Sequence, residues 1–126
     1  MVNRILRVLI VDDEPIARQV LAEELESLPG VEIAGAAATG TEALVKISTL
    51  NPDLVFLDLQ MPVMGGAAVI KSLPSSIPRP LVVVLTAFDE REQYGQEARV
   101  IDHINKPVTP LRLEQAIGRA RLLMTS

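Results

Sequence analysis

The sequence contains no cysteine and no tryptophan, a single histidine and very few aromatic residues. The absence of cysteine excludes disulfide bonds, thiolate chemistry and cysteine-ligated zinc. With aromatic residues at only 2% of the chain, the core must be built from aliphatic side chains. The longest uncharged run near the N-terminus, residues 8–11, is far too short for a signal peptide or a membrane span. We therefore expect a soluble cytoplasmic protein that makes no contact with a membrane.

Basic residues are outnumbered by acidic ones. The chain has 12 Lys and Arg against 16 Asp and Glu, which gives a net charge of −4. Proteins that bind nucleic acid need clustered Lys and Arg to contact phosphates, so direct nucleic-acid contact is not expected. The 126 residues fit one domain, residues 1–126, and the apolar fraction of 48% is ordinary for a folded core.

Short apolar runs alternate with helical patterns along the chain. The runs at 5–11, 31–35, 54–57, 81–85 and 100–104 are typical of strands buried on both faces. Helical spacing, capping residues and prolines predict helices around 16–28, 40–48, a short stretch ending before Pro74, 89–97, and from Pro110 onward. Such alternation predicts an α/β fold, namely a doubly wound parallel sheet of flavodoxin-like type with strand order 2-1-3-4-5.

Polar residues with complementary chemistry follow four of the predicted strands. They are Asp12, Asp13 and Glu14 after the first strand, Asp58 after the third, Thr86 after the fourth and Lys106 after the fifth, with small Ala87 following Thr86 and Pro107 following Lys106. In a parallel sheet these positions share one edge, which is where ligands bind. Converging carboxylates repel one another unless they share a cation, and Mg²⁺ prefers such oxygen ligands. A lysine and a threonine hydroxyl opposite the metal would suit a phosphoryl group.

Each of these residues also has an ordinary structural explanation when taken alone. Asp12 and Asp13 could cap the first helix, and Thr86 could cap the next one. Asp58 could be a turn residue, and Lys106 a solvated lysine at a strand end. The functional interpretation depends on convergence, because four separate strand ends supply what one chemistry requires.

At these residues the chain resembles the receiver domains of bacterial two-component response regulators. The likeness spans nearly the whole chain and is carried by four motifs: VDDE at 11–14, DLQMPVMGG at 58–66, Thr86–Ala87 and Lys106–Pro107. The runs VDDEP, FLDLQMP and LTAFDE are most similar to receivers that precede LytTR-type DNA-binding domains.

The resemblance implies a role for each matching residue. Asp58 would accept a phosphoryl group from a sensor histidine kinase or a phosphotransfer protein, and would later lose it by autodephosphorylation. Mg²⁺ would be held by Asp12, Asp13, Asp58 and the backbone carbonyl of Gln60. Lys106, aimed by a cis bond to Pro107, and the switch residue Thr86 would bind the phosphoryl oxygens, with small Ala87 leaving the site open. These residues would act on the chain's own phosphorylation, so the protein is not expected to be a turnover enzyme.

The family's output face is formed by its fourth helix, fifth strand and fifth helix, which correspond here to 89–97, 100–104 and the last helix. The resemblance implies that phosphorylation switches this face to control an effector or partner, with homodimerisation as the commonest outcome. His103 stands where the family usually has the aromatic residue that changes rotamer with the switch threonine. It could report the switch, or it could be an ordinary half-exposed strand residue.

Three other functions are weighed against the receiver. A haloacid dehalogenase-type phosphatase would need a second aspartate two residues after its nucleophile, where this chain has Gln60. A flavodoxin-like cofactor binder would need a hydroxyl- and glycine-rich loop after the first strand, where this chain is acidic. A degenerate receiver that binds partners without phosphorylation would not need the complete set of Asp58, Thr86 and Lys106.

Overall fold

A computed structural model describes residues 4–74, 79–87 and 97–125. The strands are β1 Leu6–Val11, β2 Val31–Ala37, β3 Leu54–Asp58, β4 Leu81–Thr86 and β5 Val100–Asn105. They form one five-stranded parallel sheet in the order β2-β1-β3-β4-β5. The predicted doubly wound α/β fold and its strand order are therefore confirmed. β2 extends two residues beyond its predicted end because Ala36 and Ala37 pair with the last two residues of β1.

Four helices lie within the described residues: α1 Pro15–Glu26, α2 Gly40–Leu50, α3 Gly66–Ser72 and α4 Pro110–Thr125. Helices α1 and α4 each begin at a proline, whose missing N–H is not needed in the first turn. At the start of α2 the Thr39 hydroxyl accepts a hydrogen bond from the Glu42 N–H at 3.1 Å. The Glu42 carboxylate in turn accepts from the N–H of Ala38 at 2.6 Å, one residue earlier than a standard capping box would place it.

The sheet separates two apolar layers, because successive residues of a strand point to opposite faces. Val8 and Ile10 of β1 belong to the layer formed with α1 and α4, whereas Leu9 and Val11 belong to the layer formed with α2 and α3. Among the described residues, Phe56 is the single aromatic side chain in these layers, in agreement with the predicted aliphatic core. Burial on both faces explains why the strands read as nearly continuous apolar runs.

The helix predicted over 89–97 lies, except for its final residue, outside the described residues. None of the helices in the described part of the chain is long and apolar enough to cross a membrane. The carboxyl ends of β1, β3, β4 and β5 lie at one edge of the sheet, and this edge carries the polar residues singled out from the sequence.

Candidate functional site

Three carboxylates meet where β1 and β3 end side by side. Val11 pairs with Leu57, so the next residue of each strand, Asp12 and Asp58, lies at the same level of the sheet. Both aspartates are only 2% exposed, whereas Asp13 is half-buried. One carboxylate oxygen from each of the three lies within 4.8 Å of the others. The predicted convergence of these side chains is therefore present in the structure.

The Lys106 ammonium group faces two of these carboxylates. Its Nζ lies 3.3 Å from Asp58 Oδ2 and 3.4 Å from Asp12 Oδ2. The backbone N–H of Lys106 donates to the carbonyl of Thr86 at 2.8 Å, which ties the end of β5 to the end of β4. The peptide bond between Lys106 and Pro107 is cis. With three carboxylates and one ammonium group, the cluster has a formal charge of −2 and can accept further positive charge.

Local backbone hydrogen bonds hold the two buried carboxylates in place. Asp58 Oδ1 accepts from the N–H of Gln60 at 2.9 Å, and Asp12 Oδ1 accepts from the N–H of Glu14 at the same distance. In each case the aspartate bonds the backbone two residues later, a turn that aspartate favours. Each carboxylate thereby keeps a fixed orientation, with Asp58 Oδ2 directed at Lys106.

Arg18 of α1 supports this edge and was not singled out from the sequence. Its guanidinium group donates to the backbone carbonyl of Asp12 at 2.8 Å. The contact joins the first turns of α1 to the loop that carries the acidic pair. The spacing of Arg18 from Asp12 would have suggested only a helix-surface charge, because the bond depends on how α1 packs against the sheet.

Two glycines, Gly65 and the first residue of α3, Gly66, allow the loop after Asp58 to turn back against its own strand. A Cβ on Gly66 would lie 2.7 Å from the Asp58 carbonyl oxygen and 2.9 Å from the Leu59 Cα. A Cβ on Gly65 would lie 2.8 Å from the Leu59 carbonyl oxygen. The contacted atoms belong to the backbone and cannot rotate away, so any side chain here would shift the backbone of Asp58 and Leu59.

Burial and neighbouring charges shift the pKa values of Asp58 and Lys106. Burial raises the pKa of Asp58, and the Gln60 N–H and the Lys106 charge only partly oppose this effect. Burial also disfavours the Lys106 ammonium, but the charges of Asp58 and Asp12 outweigh it and raise the pKa of Lys106. At neutral pH Lys106 is therefore positively charged, and the ionised Asp58 is held in an unfavourable environment.

The raised pKa of Asp58 predicts that Asp58→Asn stabilises the protein in the absence of a divalent cation. A carboxyl with a raised folded-state pKa stabilises the fold fully below the unfolded pKa, and this contribution is lost as pH rises through the folded pKa. We expect Asp58→Asn to raise the free energy of unfolding at pH 7 by on the order of 1 kcal/mol. Urea denaturation in chelator at several pH values measures this, and the gain should shrink as the pH falls through the raised pKa of Asp58 and vanish below the ordinary aspartate pKa.

Asp53 provides the matched control for that substitution. It is a buried aspartate just before β3, at the amino-terminal ends of the strands and thus opposite to the site. There it accepts from the Arg7 N–H and from the Arg4 guanidinium group, both at 2.9 Å. Asp53→Asn should lower the free energy of unfolding, since it weakens a paired charge. Equal losses of stability in both variants would show that the ionised Asp58 carboxylate does not lower the free energy of unfolding in the absence of metal.

Val63, in the loop after Asp58, has a strained backbone. Its φ is +67°, in the left-handed region that disfavours β-branched residues, and its side chain is fully exposed. We predict that Val63→Asn raises the free energy of unfolding by about 0.5–1 kcal/mol, because asparagine tolerates this conformation. The same change at Val45, an exposed valine within α2, should alter stability little, because valine and asparagine have similar helix propensities. A loss of stability at Val63 in thermal or urea denaturation would contradict the strain.

The remaining predicted site residues lie on the same edge or beside it. Thr86 is completely buried at the end of β4, and Ala87 after it is exposed. Gln60 is half-buried, and its backbone N–H donates a hydrogen bond to Asp58 Oδ1. His103 is half-buried on β5, pairs with Val84 of β4, and donates its backbone N–H to Asp102 Oδ1 at 2.8 Å.

The donor set fits a small, hard divalent cation. Carboxylate oxygens are the ligands that Mg²⁺ prefers, and it commonly uses few protein ligands while keeping several waters. Three such oxygens within 4.8 Å of one another, with a formal surplus of negative charge, match this chemistry. No sulfur or imidazole ligand belongs to the group, which argues against a zinc-type site.

Comparison of the chain with known protein families and with curated proteins points to one family. Residues 8–118 match the family described as "Response regulator receiver domain". The transcriptional regulatory protein BtsR of Salmonella typhi is 40% identical over 116 residues, which cover 92% of this chain and 48% of that protein. A protein-glutamate methylesterase/protein-glutamine glutaminase of Halalkalibacterium halodurans is 38% identical over 112 residues, which cover 86% of this chain and 32% of that protein. The chain thus spans half or less of the length of these relatives.

Solved structures show the same similarity. The REC domain of AraT, a response regulator from Geobacillus stearothermophilus, has a TM-score of 0.81 at 31% identity, with 96% of each chain covered. The response regulator domain of Thermotoga maritima CheB has a TM-score of 0.81 at 26% identity, with 98% of each chain covered.

Proposed function

Because this chain belongs to the response regulator receiver domain family, we propose that residues 1–126 form one receiver domain that accepts a phosphoryl group on Asp58. The observation that carries the proposal is the meeting of Asp12, Asp13 and Asp58 within 4.8 Å, with the Lys106 ammonium 3.3 Å from Asp58. The phosphodonor would be a sensor histidine kinase or a phosphotransfer protein. We also propose a cytoplasmic location, where such a donor would meet the protein.

The proposed transfer uses the Asp58 carboxylate as nucleophile. One of its oxygens forms a bond to phosphorus while the phosphorus–nitrogen bond to the donor histidine breaks, and that electron pair returns to the imidazole. Lys106 then pairs with the phosphoryl oxygens, and the Thr86 hydroxyl donates a hydrogen bond to one of them. Ala87, small and exposed, leaves room for the donor. Hydrolysis by water restores the carboxylate and releases phosphate, so the domain acts on its own phosphoryl group and not as a turnover enzyme.

Mg²⁺ would be held by Asp12, Asp13, Asp58 and the carbonyl of Gln60. When bound it would offset the negative charge that gathers as the phosphoryl group approaches the carboxylates. Because the cluster carries a formal charge of −2 without a cation, we expect phosphorylation to depend strongly on Mg²⁺.

Incubation with acetyl phosphate and Mg²⁺ tests the proposal without a partner protein. Intact-mass spectrometry should show a single adduct of about 80 Da, the mass of one phosphoryl group on an aspartate nucleophile. The adduct should disappear over time as water hydrolyses the acyl phosphate. An unchanged mass at saturating acetyl phosphate would indicate a receiver that binds partners without phosphorylation.

Contacts along β5 support a switch that reaches the last helix. The Thr86 carbonyl accepts a hydrogen bond from the backbone N–H of Lys106, just after β5. Arg112 of α4 donates to Asp102 Oδ1 at 3.0 Å and to the His103 carbonyl at 3.2 Å. A movement of Thr86 toward a phosphoryl group would therefore act on β5 and, through Arg112, on α4. We propose that this face, together with the helix predicted over 89–97, controls an effector or partner and supports homodimerisation. The likeness to LytTR-type regulators stays a prediction.

Amide hydrogen exchange measures this switch. Residues 86–105 should exchange faster than β1 in the unmodified protein, because β5 is an edge strand and half-buried whereas β1 is central and buried. Phosphorylation should change exchange in 86–105 and leave β1 unaltered. Equal protection of both segments, or no response to phosphorylation, would place the output face elsewhere.

A further inference from the structure

Arg18 reaches back from the first turn of α1 to the loop that carries the acidic pair. Side chains of a helix lean toward its N-terminus, and the Arg18 guanidinium group donates to the Asp12 carbonyl oxygen at 2.8 Å. The backbone N–H of Arg18 donates to the carbonyl of Glu14 at 3.0 Å. One residue therefore holds both ends of the short loop between β1 and α1.

Every polar group of Asp12 is held by a different part of the fold. Its N–H donates to the Ala37 carbonyl of β2 at 3.1 Å, its Oδ1 accepts from the Glu14 N–H, and its Oδ2 faces Lys106. The carbonyl is the fourth group, and the Arg18 guanidinium group is its donor. Because Asp12 is buried, loss of this donor would leave the carbonyl unpaired, and the peptide group would turn to find another partner.

The Asp12 carbonyl bears on the metal site because it belongs to the peptide bond that leads into Asp13. A peptide group is planar, so a hydrogen bond that fixes its carbonyl also fixes the N–H and Cα of the next residue. The Asp12 and Asp58 carboxylates accept hydrogen bonds from backbone N–H groups, whereas the Asp13 carboxylate accepts none from the described residues. The direction of the Asp13 carboxylate therefore depends on its backbone, which Arg18 holds.

The charge of Arg18 would act in the opposite direction. A guanidinium group near a bound cation repels it. Glu42 of α2 balances part of this charge: its pKa is lowered mainly by the hydrogen bond from the Ala38 N–H, then by Lys46, and also by Arg18. Removal of the Arg18 charge alone would leave Mg²⁺ binding unchanged or make it tighter. Weaker binding after substitution of Arg18 would therefore report lost positioning.

We propose that Arg18 is a positioning residue of the metal site, which aims the Asp13 carboxylate at the cation and thereby sets the affinity for Mg²⁺. The inference rests on the proposed function, because Mg²⁺ is the cation that this function requires. Arg18 acts through the peptide bond between Asp12 and Asp13 and takes no part in phosphoryl transfer. Groups that orient metal ligands in this way tune how tightly a site binds its metal.

An NMR titration of ¹⁵N-labelled protein with Mg²⁺, without a phosphodonor, tests the proposal. Arg18→Gln should raise the Kd for Mg²⁺ about tenfold. Arg119→Gln is the matched control, since Arg119 of α4 also donates to a backbone carbonyl, that of Ile101 at 3.2 Å, and it should bind Mg²⁺ as wild type does. Arg18→Lys keeps a donor and should bind more tightly than Arg18→Gln. Before Mg²⁺ is added, Arg18→Gln should shift the amide resonance of Asp13 and leave that of Gln60 in place.

A double-mutant cycle identifies Asp13 as the ligand through which Arg18 acts. In the Asp13→Asn background, Arg18→Gln should change the Kd for Mg²⁺ less than about twofold, because the carboxylate that it aims is gone. Wild-type or tighter binding by Arg18→Gln, an affinity of Arg18→Lys no better than that of Arg18→Gln, or an equal tenfold loss in the Asp13→Asn background would overturn the proposal.

Labelling by acetyl phosphate separates this inference from the proposed function. Arg18→Gln should need about ten times more Mg²⁺ for half-maximal labelling, and at saturating Mg²⁺ it should be labelled at the wild-type rate. A rate that stays low at saturating Mg²⁺ would overturn the positioning role. Absence of Mg²⁺ binding or of labelling in wild type would instead count against the proposed function.

Discussion

Asp58→Asn is expected to abolish labelling by acetyl phosphate, to below about one hundredth of the wild-type level, because an amide cannot act as the nucleophile. The substitution keeps the size of a side chain that is 2% exposed, and the oxygen of the new side-chain amide can still accept from the Gln60 N–H. Loss of labelling would therefore report the missing nucleophile and not a damaged site. Intact-mass spectrometry after incubation with acetyl phosphate and Mg²⁺ provides the measurement.

Asp53→Asn is the control for this experiment. Asp53 is 6% exposed and lies just before β3, at the end of the strands opposite to the site. Its substitution therefore removes a buried carboxylate without touching the site. Labelling should persist in the folded fraction of this variant. A phosphoryl adduct of wild-type yield in Asp58→Asn would mean that another residue is the acceptor.

The second large effect is expected from the metal. Excess chelator should eliminate labelling of wild type, and Asp13→Asn should raise the Mg²⁺ concentration for half-maximal labelling by at least about tenfold, because Mg²⁺ has few protein ligands to lose. Mg²⁺ should also raise the melting temperature of wild type, since a ligand at 100 times its Kd adds about 2.7 kcal/mol to the free energy of unfolding. Phosphorylation yield and thermal denaturation are followed across one Mg²⁺ titration.

Glu14→Gln separates a metal ligand from a nearby charge. Glu14 follows Asp13 directly but is exposed, and it does not belong to the group of carboxylates within 4.8 Å. Its substitution should leave the Mg²⁺ dependence close to that of wild type. Undiminished labelling of wild type in excess chelator, or equal effects of the two substitutions, would refute the metal site.

The sequence was sufficient for the sheet and for the location of the site. The apolar runs that became β1, β3 and β4 are nearly continuous because both faces are buried, with Arg7 of β1 as an exception, and such runs can be recognised from the sequence alone. Parallel strands then place their carboxyl ends at one edge, which brings Asp12, Asp58 and Lys106 together whatever the details of helix packing. The alternation of elements and the handedness of crossovers left few strand orders, and 2-1-3-4-5, the common doubly wound order chosen among them, is the observed one.

Features that depend on packing could not be predicted. The buried oxygen of Glu24 and the bond from Arg18 to Asp12 both follow from the rotation of α1 about its axis, which helical spacing defines only roughly. The left-handed backbone of Val63 arises because the chain must turn back between Met61 and Gly66, although valine disfavours that conformation. Local propensity and tertiary demand conflict in this loop, and tertiary demand prevails.

Chemical mapping of the phosphoryl group tests the phosphoacceptor most directly. Borohydride reduces an aspartyl phosphate to homoserine, so the labelled protein can be reduced, digested and sequenced by tandem mass spectrometry. The site geometry predicts homoserine at position 58 alone, in wild type treated with acetyl phosphate and Mg²⁺, and none in Asp58→Asn or in chelator. Homoserine at position 12 or 13, or a labelled protein with an intact aspartate at 58, would contradict Asp58 as the phosphoacceptor.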